Sequence, residues 1–279
     1  MSRRFEELAF APTRMGELSL RRRREPLTGQ QVYEVKLGEE YLMSSMFTVA
    51  EEAMAGMALD RVSVDDPAVL VGGLGLGYTA VAALRNPAVS AVHVVETLEP
   101  VIDWHRQELL PRSAELVRDP RTKLLLGDFF AIAAGREQGL DRLRPAYDVL
   151  LLDIDHAPDF VLDESHQGFY SPAGLTAMRR LLTPDGVFAL WSDHPPDAAF
   201  LEVLDAAFEQ TRAEVVSFAN PLTGGRSSST VYLAVAQAST ADSSEGARLE
   251  RRSVRRSSHP PKSTSSTMPA RPHSSPEGS

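Results

Sequence analysis

Residues 69–77 read V-L-V-G-G-L-G-L-G, an apolar run that passes directly into a segment rich in glycine. The apolar run is typical of a strand that is buried on both faces. Glycine permits positive φ angles and lets the backbone approach a ligand closely. Residues 78–85, which follow, have the spacing of an amphipathic helix. The stretch therefore predicts a strand, a glycine turn and a helix, the repeating unit of a parallel α/β sheet.

The same alternation of strands and helices continues to residue 236. Apolar strands are predicted at residues 89–96, 123–126, 147–153 and 187–191. Helices are predicted at residues 100–109, 129–134, 172–182 and 197–209. Two further strands, at residues 214–218 and 230–236, close the sheet, and we expect the last one to run antiparallel. The pattern predicts an α/β fold with a doubly wound sheet that carries helices on both faces.

The segments on either side of this region have different patterns. Residues 16–45 alternate polar and apolar side chains between turn signals, which predicts a small N-terminal antiparallel β-domain. The arginine run at residues 21–24 is expected on an exposed, charged edge strand. Residues 237–279 are rich in Ser, Pro and Arg and contain no Phe, Trp or Tyr, so we expect a disordered tail. The predicted domains are residues 1–50, 51–236 and 237–279.

The composition excludes several classes of chemistry. The 279 residues include no cysteine, which excludes disulfides, thiolate nucleophiles and cysteine-ligated metal sites. The net charge of −9 disfavours binding of nucleic-acid phosphates, and no nucleic-acid partner is expected. The sequence has no apolar run of membrane-spanning length, and its N-terminus lacks the apolar stretch of a secretion signal. We therefore expect a soluble, cytoplasmic protein without a membrane partner.

The spacing of the glycines separates two kinds of nucleotide site. Gly73, Gly75 and Gly77 give the pattern G-x-G-x-G. A dinucleotide-binding fingerprint requires glycine or alanine at the next position, which is Tyr78. The pattern favours a Rossmann-like sheet of the methyltransferase type, in which the glycine turn holds an S-adenosylmethionine-type nucleoside. A tight turn without a ligand is the alternative explanation.

Acidic residues stand at the ends of the next two predicted strands. Glu96 lies about 20 residues beyond the glycine turn, where an acid accepts hydrogen bonds from both ribose hydroxyls. The alternative for Glu96 is a surface acid at a strand end. Asp128 ends the following strand, where an acid accepts from the adenine amino group, caps the helix that begins at Phe129, or does both. Ligands of such sheets bind outside the carboxyl ends of the strands, so both acids are expected beside the glycine turn.

Asp153 is the first candidate for catalysis. It ends the strand at residues 147–153, which we place beside the glycine turn as the central strand. A carboxylate there is expected to face the reacting end of the nucleoside, to stabilise a sulfonium or an ammonium, and to take a proton from an attacking amine.

The loops that follow this strand and the next one contain further candidates. His156 is a second candidate for general base, with a charged loop histidine as the alternative. Asp155, His156 and Asp159 are types of residue that bind metals, but no second ligand cluster accompanies them, and no metal is expected. His194 follows the strand at residues 187–191 and lies on the same rim, so we include it as a candidate for substrate binding.

Together these residues resemble the spermidine synthase (polyamine aminopropyltransferase) family. The resemblance covers residues 32–236 and rests on GEEYLMSSMFTVAEEAM at residues 38–54, the loop GGLGLG, Glu96, Gly127-Asp128, YDVLLLDIDHAP and FYSPAGLTAMRRLLTPDGVFALW. It implies an N-terminal β-domain, a methyltransferase-like Rossmann domain and nucleoside contacts from Gly73, Gly75, Gly77, Glu96 and Asp128. Asp153 matches the catalytic aspartate of the family.

The resemblance also implies a reaction. Decarboxylated S-adenosylmethionine would donate an aminopropyl group to a small amine such as putrescine, with Asp153 orienting and deprotonating the amine. Catalysis of this kind consists mostly of placing the amine nitrogen in line with the sulfonium. By analogy with the family, a homodimer through the N-terminal strands is expected.

Three positions depart from the pattern of the family. Its GGGDGG loop has an acid where this sequence has Gly75, and its DSSDP motif has a second acid where this sequence has His156. Its Tyr-His-Glu triplet appears here only as residues 50–52, so Glu51 and Asp155 are the acids that are left as candidates for binding the substrate. Charge-assisted hydrogen bonds to an ammonium contribute about 1.5–3 kcal/mol each, so the loss of two acids affects recognition of an amine.

Two alternatives to aminopropyl transfer stay open. One is methyl transfer from intact S-adenosylmethionine, since the lack of an acid at Gly75 favours a donor that carries its own carboxylate. The other is a nucleoside-binding protein without turnover, in which the replaced acids mark lost catalysis.

Overall fold

In the computed structural model, which describes residues 5–137 and 144–236, the first four strands form an antiparallel sheet in the order β1-β2-β3-β4. The strands are β1 (Phe5–Thr13), β2 (Gly16–Arg24), β3 (Gln31–Leu37) and β4 (Glu40–Ser44). The sheet confirms the predicted N-terminal antiparallel sheet, but it begins with β1, before the predicted start at residue 16. Every residue of β1 is exposed or partly exposed, so its hydrophobic alternation is too weak to predict a strand.

The expectation of an arginine-rich edge strand is wrong. Residues 21–24 belong to β2, which lies between β1 and β3 in the interior of this sheet. The arginines pair with acids across the strands: Arg22 with Glu6 at 2.6 Å, and Arg23 with Glu34 at 2.8 Å. Cross-strand pairs of opposite charge stabilise a sheet, and β2 is interior because β1, which was not predicted, pairs with its other edge.

The remaining strands form one seven-stranded sheet in the order β10-β11-β9-β8-β5-β6-β7. Its strands are β5 (Ala68–Gly72), β6 (Ala91–Glu96), β7 (Thr122–Leu126), β8 (Tyr147–Leu152), β9 (Leu182–Ser192), β10 (Gln210–Asn220) and β11 (Gly225–Val235). β5 pairs in parallel with both β6 and β8, and β11 is antiparallel to β9 and β10. The predicted α/β sheet with an antiparallel last strand is confirmed. The strand order reverses between β5 and β8, where such sheets bind ligands.

Helices cover both faces of this sheet. They are α1 (Val49–Leu59), α2 (Tyr78–Leu84), α3 (Glu99–Arg106), α4 (Ser113–Arg118), α5 (Phe129–Ala133), α6 (Pro172–Met178) and α7 (Ala198–Asp205). One apolar core contains residues of the four helices α1, α2, α3 and α4 and of one face of β5, together with Leu18 and Leu20 of the N-terminal sheet. The other core joins the opposite face of β5 to α5, α6 and α7. The N-terminal sheet therefore packs against the same face of the large sheet as α1.

Two details differ from the predicted elements. α4 was not predicted, and the helix predicted at residues 172–182 ends at Met178, followed by a 3₁₀ turn. β9 begins at Leu182 and continues through Asp185, whose φ of 61° marks an irregularity in its pairing with β8. The strand predicted at residues 187–191 is therefore only the second part of β9, whose pairing with β8 resumes at Val187.

The expectations for membrane spans, for the tail and for the domain boundaries concern other features than the sheet and its helices. Among the described residues, we find no helix with the length and apolar character of a membrane span. The expected disordered tail, residues 237–279, lies outside the described residues. The predicted boundary at residue 50 falls in the first turn of α1, and the division into domains stays a prediction.

Arg121 closes the C-terminal end of α2. Its guanidinium donates to the carbonyl oxygens of Leu84 (2.7 Å), Val89 (3.0 Å) and Asn86 (3.2 Å), and it pairs with Asp119 at 2.7 Å. The last carbonyls of a helix have no partner within the helix. Arg121 supplies this partner and ties the helix after the glycine turn to the start of β7.

We expect Arg121→Met to lower the free energy of unfolding by about 2–3 kcal/mol, because several buried or half-buried acceptors lose a charged donor. Arg118→Met is the matched control, since Arg118 is exposed and, within the described ranges, pairs only with Glu108. The free energy of unfolding of Arg118→Met should fall by less than about 1 kcal/mol. Urea unfolding followed by circular dichroism measures both values. Equal losses in the two variants would contradict this role of Arg121.

Candidate active site

The glycine turn lies against the end of β8. Gly73, Gly75 and Gly77 have φ angles of 93°, 49° and 85°, a region that favours glycine. A Cβ atom on Gly73 would stand 2.1 Å from the backbone oxygen of Asp153, which no side chain tolerates. The Gly73 amide donates to the carbonyl oxygen of Val95 at 3.0 Å. The turn is thus held between the ends of β6 and β8 by its own backbone.

His105, which sequence reasoning missed, supports the turn from the other side. A Cβ on Gly77 would meet Cε1 of His105 at 2.9 Å, so this glycine makes room for the imidazole. His105 is fully buried; its Nε2 lies 2.9 Å from the carbonyl oxygen of Gly75, and its Nδ1 lies 3.1 Å from Oγ of Ser113. Burial lowers the pKa of His105 to about 4, so the ring is neutral at pH 7. Since a carbonyl only accepts, Nε2 carries the proton.

Glu96 ends β6, and its carboxylate bonds to the backbone of the glycine turn and to the backbone that follows β6. Its carboxylate accepts from the amides of Leu74 (3.1 Å) and Leu98 (2.8 Å). Burial raises the pKa of Glu96, although these backbone bonds oppose the shift. The amides of Gly75 and Thr97 oppose the shift as well, so four backbone amides act on this carboxylate. The ribose contact stays a prediction.

Asp128 caps α5. Its Oδ1 accepts from the amides of Phe130 (2.9 Å) and Ala131 (3.1 Å). Within the described ranges, its Oδ2 accepts no hydrogen bond. The cap and the predicted contact with adenine are therefore compatible, since they use different oxygens.

Asp153 follows β8 directly. Its Oδ2 accepts from Oγ1 of Thr79, in the first turn of α2, at 2.6 Å, and its amide donates to Gly72 at 2.9 Å. Burial raises the pKa of Asp153, while the bond from Thr79 opposes the shift. A carboxylate with a raised pKa is a better proton acceptor than a surface aspartate.

Glu51 lies in the first turn of α1, close enough to Asp153 for the two charges to interact. Burial raises the pKa of Glu51 to about 8, and the negative charge of Asp153 adds to the shift. Two carboxylates in this arrangement do not both ionise readily at neutral pH. A cation bound near them would favour the charged forms.

A cavity of about 400 Å³ brings together half of the predicted site residues. Its lining includes Gly73, Gly75, Glu96, Asp128 and Asp153. A volume of this size lies in the range of small-molecule sites. Gly77 and Glu51 do not line it: Gly77 packs on His105, and Glu51 interacts with the charge of Asp153.

The N-terminal sheet also contributes residues to the lining of this cavity. It contributes Arg14 and Met15 from the β1–β2 turn and Glu40 and Met43 from β4. Arg14 also donates to Oγ1 of Thr97, next to Glu96, at 2.7 Å. The sequence contains no signal for these contacts, because they come from packing between the two sheets.

Three further predicted residues lie outside the lining. His156 stacks on Phe160 with ring centroids 5.2 Å apart, and its Nε2 lies 3.6 Å from Glu40. The side chain of His194 is nearly half exposed, and the residue contacts Asp159. Asp155 is buried among protein partners. No group of three or more metal-binding side chains occurs among the described residues.

Comparison of the sequence identifies relatives that act on polyamines. The family described as spermine/spermidine synthase domain matches residues 48–217. Putrescine N-methyltransferase 1 of Nicotiana tabacum is 29% identical over 119 residues, which are 43% of this chain and 28% of that protein. The polyamine aminopropyltransferase of Prochlorococcus marinus (strain MIT 9313) is 30% identical over 156 residues, 56% of this chain and 50% of that protein. The matches thus span half or less of each relative's length.

Solved structures share the fold. Spermidine synthase from Thermotoga maritima superposes with a TM-score of 0.61 at 15% identity, over 82% of this chain and 72% of that chain. A spermidine synthase in complex with the transition state analogue AdoDATO gives a TM-score of 0.61 at 16% identity, with the same coverage. A probable spermidine synthase from Corynebacterium glutamicum gives 0.56 at 17% identity, over 81% of this chain and 79% of that one.

We expect Gly73→Ala to prevent native packing of the turn, because its Cβ would overlap the oxygen of Asp153. Gly38→Ala is the matched control: Gly38 also has a positive φ, but no atom lies within 4 Å of a Cβ there. The free energy of unfolding of Gly38→Ala should fall by about 1–2 kcal/mol, because only the backbone is strained there. Thermal unfolding compares the two. A Gly73→Ala protein as stable as Gly38→Ala would refute the contact.

The raised pKa of Glu51 predicts a dependence of stability on pH. The folded protein holds a proton at Glu51 up to about pH 8, whereas the unfolded chain releases it near pH 4.5. Stability from this group therefore falls as the pH rises through that window. We expect the stability of Glu51→Gln to depend less on pH than that of wild type. Near pH 8, the upper end of this window, the variant should be the more stable of the two.

Urea midpoints at several pH values between these limits measure the effect. Glu99→Gln, which removes an exposed acid at the start of α3, is the control and should follow the wild-type curve. A Glu51→Gln curve with the wild-type slope would show that Glu51 ionises normally.

Proposed function

The chain belongs to the spermine/spermidine synthase family, and on this premise we propose that it transfers a carbon group from the sulfonium of an S-adenosylmethionine-type nucleoside to a small amine. One observation carries the proposal. Asp153, whose carboxyl group has a raised pKa, lines the same cavity as Glu96, Asp128, Gly73 and Gly75. The nucleoside acceptors and a base are thereby combined in one site.

The reaction needs one new bond and one proton acceptor. The amine nitrogen attacks the carbon next to sulfur, the carbon–sulfur bond breaks, and its electron pair stays on sulfur as a neutral thioether. The proton released by the new ammonium passes to Asp153 and from there to solvent. Holding the two reactants in line supplies much of the rate enhancement. Nε2 of His156 lies 3.6 Å from Glu40 of the lining, so we assign His156 a role in positioning Glu40.

Aminopropyl transfer from decarboxylated S-adenosylmethionine is the reaction that we favour. Both this donor and a diamine acceptor carry an ammonium, and the Glu51–Asp153 pair is an environment in which a cation is favourable. The similarity to a polyamine aminopropyltransferase supports the same assignment.

Methyl transfer is the second candidate, and it is favoured by the surroundings of Gly75. A Cβ at this position would stand 3.0 Å from Sδ of Met43, so an acid there requires Met43 to move. The site therefore lacks one acid for the ammonium of a decarboxylated donor. The similarity to putrescine N-methyltransferases supports this candidate.

Calorimetry with the two donors distinguishes the candidates. We expect the decarboxylated donor to bind at least tenfold more tightly, which corresponds to about 1.4 kcal/mol, and putrescine to be converted to a product detected by mass spectrometry. Preference for intact S-adenosylmethionine with a methylated product would favour the second candidate. Binding without product from a panel of amines would contradict both and indicate a nucleoside-binding protein.

Asp153→Asn tests the proposed base. We expect kcat to fall by roughly 10²- to 10⁴-fold, because the amide cannot accept the proton, while the affinity for the nucleoside changes little. Glu99→Gln is again the control. Wild-type turnover in Asp153→Asn would remove the catalytic assignment.

A further inference from the structure

The carboxyl group of Asp153 is held by one buried hydroxyl group. Oγ1 of Thr79 donates to Oδ2 of Asp153 at 2.6 Å, and Thr79 is 3% exposed. This length is typical of a hydroxyl group that bonds to an ionised carboxylate. Within the described ranges, no other side chain donates to Asp153. One oxygen of the proposed base is therefore bound, and the other keeps its acceptor positions.

The position of Thr79 in α2 explains why its hydroxyl group bonds to Asp153. A threonine inside a helix can donate to the carbonyl oxygen four residues earlier, which here is that of Gly75. That carbonyl oxygen already accepts from Nε2 of His105 at 2.9 Å. With this acceptor occupied, the hydroxyl group of Thr79 bonds to the residue after β8 instead. The bond ties the first turn of α2 to the end of β8.

The carboxyl group of Glu51 lacks such a donor. Glu51 stands in the first turn of α1, and its charge interacts with that of Asp153. In the part of the chain that the structure describes, no side chain donates a hydrogen bond to Glu51. A hydrogen bond to the charged form of a carboxylate lowers its pKa. When the two groups share one negative charge, the donor therefore stabilises this charge on Asp153.

We propose that Thr79 is a positioning residue for the base: it places the negative charge of the pair on Asp153, so that Asp153 accepts the proton of the amine while Glu51 stays protonated. The part of Asp153 in the reaction rests on the proposed function, whereas the placement of the charge does not require turnover. Neither Thr79 nor Glu51 lines the cavity, so Thr79 acts through Asp153.

The other charges around the pair are the same with and without the hydroxyl group of Thr79. α2 contains no charged side chain, and α1 adds Glu52, whose charge also raises the pKa of Glu51. The remaining charged or titratable side chains that line the cavity are those of Arg14, Glu40, Glu96, Asp128, Asp163 and His166. A substitution that removes only the hydroxyl group at residue 79 therefore isolates its effect.

Titration of the side-chain carboxyl groups by ¹³C NMR, on the full chain, tests this placement. The two resonances are assigned by their absence from Asp153→Asn and Glu51→Gln. In wild type, Asp153 should ionise at a lower pH than Glu51. Thr79→Val keeps the shape of the side chain but removes the donor, so the ionised form of Asp153 should become at least about tenfold less favoured and its midpoint should move to higher pH.

Two further variants serve as controls for the loss of the hydroxyl group. Thr79→Ser keeps the donor and should titrate as wild type does. Thr176→Val removes an exposed hydroxyl group of α6 that donates to the carbonyl oxygen of Pro172, and it should leave both midpoints unchanged.

The pH dependence of turnover separates positioning from support of the fold. On the acidic limb of kcat/KM, Thr79→Val should be about tenfold slower than wild type, because less of Asp153 is ionised there, and the difference should shrink at higher pH. A loss of the same size at every pH would overturn the positioning role, since Thr79 would then only hold the helix in place.

An Asp153 midpoint that is equal in Thr79→Val and wild type, or lower in the variant, would overturn the inference. A wild-type protein in which Glu51 ionises before Asp153 would overturn it without any variant at residue 79. Failure of the wild-type protein to convert an amine would contradict the proposed function, while the titrations would still decide where the charge lies.

Discussion

The close approach of Gly73 to the backbone oxygen of Asp153 is the constraint on which the site depends. A Cβ atom at residue 73 would lie 2.1 Å from that oxygen, so the turns after β5 and β8 are neighbours only because residue 73 is glycine. His105 holds the carbonyl of Gly75 from the opposite side. The turn is therefore fixed by backbone packing, and the cavity that Gly73 and Gly75 line is available to a ligand.

Buried carboxylates determine which ligands suit this edge. Burial raises the pKa of Glu96, of Asp153 and of Glu51, since a charge in such surroundings loses its hydration. A sulfonium or an ammonium compensates for that loss by direct attraction, whereas an anion does not. The same raised pKa makes Asp153 a stronger base. The electrostatics of the cavity thus agree with a cationic donor and an amine acceptor.

Topology explains which parts of the site could be predicted. Carboxyl ends of parallel strands meet at one edge, so Glu96, Asp128 and Asp153 follow from the strand pattern, although their contacts with a ligand stay predictions. Arg14 and His166 could not be predicted, because their positions depend on packing between distant segments without a local pattern. The homodimer, the cytoplasmic location and the domain boundaries also stay predictions.

A crystal structure of the protein with 5′-methylthioadenosine tests the central claim most directly. Our account places the ribose hydroxyls at Glu96, the adenine at Asp128 and the sulfur nearest to Asp153, with the nucleoside lying along the glycine turn. An empty cavity at saturating ligand, or a nucleoside bound away from the ends of β5, β6 and β7, would contradict it.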